Sequence, residues 1–516
     1  MASVTDKDRN IIPRWRESSL AARAGEFSPV ALRLEPMPRS NEILEHRIAE
    51  WSETQSPAIA GEVLGASMLS SIQPEKVIEV AMSVCSNSRA TDATRSLALL
   101  ILGREADEEQ SLGNADPRIA SRRRIHELRE RLREDPRNAI AWANVALHYT
   151  KIAQIEKAVA AMKNAVFLAP DNRFILRSAA RLHIHRGNPD VAHGVLLNSS
   201  ATQQDPWLLA AEIATASSMN KSGFFIKDGR NAMKSGKYSE FHTAEIASAL
   251  GTIELNSGSG KAAKRLFAQS LRKPTENVVA QARWAFREGN FDLDPVQLQT
   301  ARSYEARAWH YYYEGDWGNA LGEAINWLED QSFSSRPAAL GSYIASLGLG
   351  DFSKGAEIAK IGLLANPTDP TLTNNYIFCL ANCGKLHEAE QVFAKIAVPQ
   401  RFAEFEGSNR PSILATAGLL AYRRGDIERG RELYKKAITE AEAAHLPKHS
   451  AVAAIYFAME ELRAMSATAT ESYNLASIVS KGVFDKDVQL LLKHLDELRA
   501  TTQYGEPGYA GGGRHA

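Results

Sequence analysis

A recurring order of small and large residues with a period near 34 constrains this chain more than any other feature, because a period of that length means stacked copies of one supersecondary unit. A unit opening at Ala139 carries Trp142, Ala146, Tyr149, Ala158, Ala165 and Pro170. The next opens at Arg173 and repeats the order with Leu176, Ala180, Gly187 and Ala192. Further copies open at Ala244 (Leu250, Gly251, Gly258, Ala263, Phe267), Ala301, Arg336 and Pro370, the last three with turn glycines Gly315, Gly350 and Gly384. A final clear copy opens at Pro411, with Gly418, Gly425, Gly430, Tyr434 and Ala437, after a spacer holding Pro399 and Gly407. Weaker matches fill the gaps: residues 205–235 read as one degenerate pair, and a half-match begins near Glu276. Alanine and glycine stand where two helices cross closely, and the turn glycine where the backbone needs φ > 0. A helix pair of this size cannot bury its apolar face alone, so each stacks on the next.

In spacing and slot residues, the stretch from about Ala139 to about Glu442 resembles the tetratricopeptide repeat (TPR) family. The resemblance implies an all-α fold, a right-handed TPR-like α-solenoid of stacked helical hairpins with a concave ligand-binding face, and it implies no reaction. Around it the chain divides into an extended arm over 1–38, a helical region over 39–115, the superhelix over 116–445, a C-terminal helical cap over 446–500 and a disordered glycine-rich tail over 501–516. The 39–115 region reads as degenerate capping repeats, with a separate helical domain as the alternative, because terminal repeats are usually atypical.

Composition narrows the function classes. Lysine plus arginine and aspartate plus glutamate both number 61, so any charged partner must be recognised by a local patch. Three cysteines, Cys85, Cys379 and Cys383, are too few for a disulfide framework and suit a reducing compartment, so a soluble cytoplasmic protein is expected. The longest apolar run, Leu97 to Leu102, is far short of a membrane span, and the polar opening segment broken by Pro13 has no signal-peptide core.

The TPR resemblance implies that the first helix of each pair lines the concave groove through a fixed set of positions. In the Arg173 unit these include Arg177, Arg181 and His185, whose i, i+4, i+8 spacing aligns three potential cations on one face suited to an anionic ligand. The half-match near Glu276 and the Ala301 unit contribute Trp284, Arg287, Trp309, Tyr312 and Tyr313, an aromatic stretch suited to anchoring a peptide. Ordinary inter-helix packing is the competing reading of Trp309 and Tyr312. The Lys and Asn clamp of chaperone-binding TPR domains is not matched, since Leu340, Ile344, Ala143 and Leu147 occupy its positions. A basic helix over 118–133 offers Arg122, Arg123 and Arg124 to an anionic partner, although Glu127, Glu130 and Glu134 are spaced to pair with its arginines.

Three apparent chemical motifs dissolve on inspection. Gly258-Ser259-Gly260-Lys261 lacks the first glycine and the hydroxyl residue of a phosphate-binding loop, with Leu255 and Ala262 in their places. Cys379 with Cys383, and His183 with His185, have no companion ligands at zinc spacing. The sequence therefore predicts no catalytic residue, cofactor or metal. It predicts a scaffold or adaptor that holds an extended or helical segment of another protein, acidic against Arg177 and Arg181 and apolar against Trp284, Trp309 and Tyr312, with no membrane partner and nucleic acid not favoured. The alternative is a regulatory or sensor subunit that binds a peptide, small ligand or nucleic acid and gates a separate catalytic protein.

Overall fold

The computed structural model describes residues 13–18, 40–67, 75–87, 90–102, 117–289, 294–397 and 405–503. Most of the expected N-terminal arm and nearly all of the glycine-rich tail lie outside the described residues. The chain forms two compact units, residues 22–120 and a larger one combining residues 1–21 with 121–516.

The smaller unit holds α1 (Ser40–Thr54), α2 (Pro57–Ser67), α3 (Glu75–Ser86) and α4 (Asp92–Ile101). Leu44, Trp51, Val63, Leu64, Val77, Val80 and Val84 close into a core of its own. The apolar stripes of these helices face one another.

In the larger unit, α5 (Pro117–Glu134) precedes a run of hairpins: α6 (Ala139–Lys151) with α7 (Ile155–Leu168), α8 (Arg173–His185) with α9 (Pro189–Leu197), α10 (Pro206–Ser218) with α11 (Ile226–Lys234), and α12 (Glu240–Asn256) with α13 (Gly260–Ser270). A single helix, α14 (Glu276–Gly289), follows, then a 3-10 turn at Pro295–Gln299. Pairing resumes with α15 (Tyr304–Glu314) and α16 (Trp317–Asp330), α17 (Ser335–Tyr343) and α18 (Phe352–Ala365), α19 (Pro370–Asn382) and α20 (Leu386–Ile396), α21 (Asn409–Arg423) and α22 (Ile427–Ala443), and α23 (Pro447–Arg463) and α24 (Ala469–Val479), ending in α25 (Lys486–Gln503). Among the described residues there is no strand, and no helix is long and apolar enough to cross a membrane.

Each hairpin turn is made by a left-handed residue just past the first helix, which satisfies the last free carbonyls. Glycine supplies it at positions such as Gly187 (φ 74°) and Gly425 (φ 85°), while Ala153, Asn220 and Met465 do the same work without being glycine. Gly258 (φ 81°) is such a turn, which is the role of the phosphate-loop look-alike. The small residues do what the period requires: Ala146, Ala158 and Ala165 are fully buried where α6 and α7 cross.

The run curves back on itself. Phe333, in the turn between α16 and α17, and Ala365, at the end of α18, join one core with Leu147, Ala161, Ile175 and Leu182 of the first two hairpins. At the other end α25 packs on α23, and Asp487 in its first turn is buried, accepting hydrogen bonds from the Tyr312 hydroxyl (2.7 Å) and the Tyr343 hydroxyl (2.6 Å) and pairing with Lys448 Nζ (2.7 Å).

Candidate functional site

The curvature encloses a groove, and the groove is filled by residues 13–18, Pro-Arg-Trp-Arg-Glu-Ser, running without regular secondary structure. Trp15 anchors the segment. It is 1% exposed and meets Phe333 edge to face at 5.6 Å between ring centres, within the core where the first hairpins meet the α16–α17 turn. The backbone is held by Asn144 of α6, whose Oδ1 accepts from the Ser18 amide at 3.1 Å while its Nδ2 donates to the Ser18 carbonyl at 3.0 Å. A two-point amide clamp of this kind reads main chain and tolerates many side chains.

Side chains of distant repeats read the rest. Arg14 Nη2 donates to Glu305 of α15 at 2.5 Å. Arg16 forks onto both oxygens of Asp330 at 2.5 and 2.9 Å and reaches Glu276 of α14 at 2.7 Å. Bidentate guanidinium–carboxylate pairs are among the strongest and most directional polar contacts available. Glu17 accepts from Arg124 of α5 at 2.6 Å and from His148 of α6 at 3.0 Å. The hydrogen bond from His148 and then the Arg124 guanidinium hold the Glu17 carboxyl at about 2, overcoming the upward push of burial. Burial also lowers the His148 pKa, and its Nε2 faces the Glu17 carboxylate. The groove is therefore acidic where it meets the arginines, aromatic where it meets Trp15, and basic where it meets Glu17.

Two cavities open in this unit, the first against the segment. One, of about 390 Å³, is lined by Arg16, Glu17, Lys151, Arg302, Tyr304 and Asp330 among others. The other, of about 670 Å³, lies among α8, the α16–α17 turn and the loop after α18.

The residues chosen from the sequence are scattered. Arg181 and His185 do reach this region: the Arg181 guanidinium lies 5.0 Å over the Phe333 ring, and His185 meets the same ring edge to face. Burial and then the Arg181 charge pull the His185 pKa down to about 4, so it is neutral. Arg177, one turn earlier, is already neutralised. It donates to Glu245 of α12 at 2.8 Å, with that carboxylate 1% exposed, donates to the Trp207 carbonyl at 2.9 Å and stacks over the Trp207 ring. An anionic partner at Arg177 is thereby corrected, because a neighbouring repeat supplies the acid.

The expected aromatic stretch is corrected likewise. Trp309 and Tyr312 are 3% and 6% exposed and belong to the inter-helix core, the Tyr312 hydroxyl being spent on Asp487 and Lys448. Trp284 packs half-buried beside Phe267 and Phe286. Tyr313 is half-buried, with the Arg287 guanidinium 4.3 Å over its ring and donating to its hydroxyl, and Arg283 5.0 Å away. Of the basic helix, Arg124 binds Glu17 and Glu127, Arg123 lies 3.9 Å from Glu127, and Arg122 is exposed.

The residues that grip the segment, Asn144, His148, Glu276, Glu305, Asp330 and Phe333, were not selected from the sequence. Glu305 was within reach, since it stands on the groove face of the Ala301 unit. Asp330 and Phe333 sit at the end of a second helix and in a loop, and they enter the groove only because the solenoid closes. Among the described residues no cluster of His, Cys, Asp and Glu could hold a metal ion.

Hairpin order and turn register define the class as a tetratricopeptide-type α-solenoid, here with its groove occupied by residues 13–18. No family model and no curated protein matches the sequence. Solved structures that it resembles include yeast Tom70 (12% identity, TM-score 0.30, covering 73% of this chain and 92% of that one), Naa15/Naa10 bound to HypK-THB (12%, 0.27, 91% and 95%) and a human IFIT1 dimer with PPP-AAAA (15%, 0.27, 89% and 94%). At such identities and scores these likenesses bear on neither ligand nor partner, and the fold rests on the chain's own hairpins.

Proposed function

We propose that this protein is a non-catalytic scaffold or adaptor that holds an extended segment of another protein in its groove, and that it works in the cytoplasm. One observation carries the reading: the groove already holds an extended segment, with its main chain clamped by Asn144 and its side chains met by Glu276, Glu305, Asp330, Arg124 and His148 from five separate helices. The partner segment is then cationic and aromatic with a following acid, the pattern of Arg14-Trp15-Arg16-Glu17, in place of the acidic segment expected from Arg177 and Arg181. Residues 13–18 act as a tethered competitor, since a linked ligand enjoys a high effective concentration.

The test removes the competitor. A chain lacking residues 1–20 is titrated with a labelled peptide spanning residues 10–22, and binding is expected to weaken sharply on Asp330→Lys. Equal affinity for a scrambled peptide would overturn the reading. The second reading, a regulatory subunit that gates a separate catalytic protein, is favoured by the same occupancy, because whatever displaces residues 13–18 changes the state of the whole groove.

A further inference from the structure

The cavity of about 670 Å³ beside Phe333 carries more positive charge than its surroundings neutralise. Arg14 and Arg336 converge on the two oxygens of one carboxylate, Glu305, at 2.5 and 2.6 Å. Arg181, the third guanidinium of the group, makes no ion pair among the described residues, and its described contact is the Phe333 ring. Burial, and then repulsion from Arg14 and Arg336, pull its pKa down to about 9 against a smaller attraction from Glu305. A cation held in that way is costly unless something pairs with it. The acid on the cavity wall, Asp369, is committed elsewhere: it caps α19 through the Leu372 amide at 2.9 Å and is bonded by Ser335.

The remaining wall completes an oxyanion cradle. Arg336 reaches it, as does Arg186, which also pairs with Glu156 at 3.6 Å, and Ser334 stands at the start of α17 with its hydroxyl making no capping bond to that helix. Helix starts present free amide hydrogens and a positive dipole end, both of which favour an anion. The volume lies in the range of small-molecule sites and greatly exceeds a lone ion, and Ile155, Ile184 and Ala365 give it an apolar side.

We propose that this cavity binds a phosphate monoester, the phosphate dianion lying between Arg181 and Arg336 and the organic part against the apolar side. A dianion matches the site better than a carboxylate, because two guanidiniums are in excess of what Glu305 neutralises, and guanidinium forks fit phosphate oxygens. Arg14 belongs to the docked segment, so the site is tested with that segment in place, whereas Arg181 and Arg336 line the cavity whether or not the peptide reading holds.

The experiment uses the full chain in phosphate-free buffer. Phenyl phosphate and a phosphoserine peptide are titrated calorimetrically, with phenyl phosphate line broadening followed by phosphorus NMR. Saturable binding is expected, weakened at least about tenfold by Arg181→Met and unchanged by Arg173→Met on the outer surface. Without ligand, Arg181→Met is expected to melt no lower than the wild type, because it removes an unneutralised cation; this separates a ligand site from a structural arginine. Tighter binding of phenyl phosphate assigns a free metabolite, and tighter binding of the peptide assigns a phosphorylated residue. Absence of line broadening in the wild type at millimolar phenyl phosphate, or an equal affinity for the Arg181→Met chain, would overturn the site, and the first result needs no variant to fold.

Discussion

Replacing Trp15 by alanine should empty the groove without unfolding the solenoid. Trp15 is 1% exposed, and burying a tryptophan of roughly 200 Å² contributes about 5 kcal/mol at the usual area coefficient. Three charge-assisted contacts, Arg14 to Glu305, Arg16 to Asp330 and Glu17 to Arg124, add about 5–9 kcal/mol together. Fixing six residues of backbone costs about 6–12 kcal/mol. The segment is therefore held by a net of only a few kcal/mol. Truncating a buried tryptophan costs about 3–5 kcal/mol, which is the size of that net. The labelled 10–22 peptide should then bind Trp15→Ala at least about tenfold more tightly than the wild type, because a groove freed of its own segment no longer lowers the apparent affinity. Fluorescence anisotropy reads the affinity, and hydrogen exchange at the Ser18 amide, which Asn144 now protects, reads the segment's release. Unchanged peptide affinity would refute the reasoning. So would a single cooperative melt shifted by the whole 3–5 kcal/mol, since that would make residues 13–18 an integral part of the core.

Two further outcomes concern the segment and the repeat core. The Glu17 carboxyl sits at about 2 in the folded chain against an ordinary value of 4.5, so its contribution to docking is complete above the ordinary range and is lost as pH falls from about 4.5 towards about 2. Protection of the Ser18 amide from hydrogen exchange should fall over that window, and Glu17→Gln should flatten the profile; a wild-type profile already flat there would contradict the assignment. In the repeat core, a methyl added at Gly418 would lie 2.7 Å from the Tyr434 ring and 3.1 Å from the Gly430 carbonyl oxygen, and the latter is backbone that cannot swing aside. Gly418→Ala should lower stability by about 1–3 kcal/mol in a denaturant melt, whereas Gly322→Ala, on an open face, should not.

The period of the small residues made the hairpins legible because crossing helices impose a local demand that each repeat must meet within its own 34 residues. What the period could not show is where repeats differ. The left-handed turns at Ala153, Asn220 and Met465 escape a search for glycine, although the backbone demand is the same. On α8, Arg181 and His185 both meet the Phe333 ring. The charges of the groove were not legible, because neutralisation depends on which repeats come together: Glu245 lies two hairpins beyond Arg177 and pairs with it, while Arg181 meets Arg14 and Arg336 and shares Glu305 with them. The same distance in sequence hid the ligand. Residues 13–18 look like part of a polar arm until Glu305 and Asp330, each about three hundred positions away, are brought opposite Arg14 and Arg16 by closure of the solenoid. Trp15 was the one visible hint, a large aromatic between two arginines in a segment with no apolar period to bury it. A solenoid's architecture is thus written in what its repeats share, and its specificity in residues that no repeat shares. For this chain those residues are Asn144, Glu305, Asp330 and Arg181, and they are where a change should alter what is bound before it alters the fold.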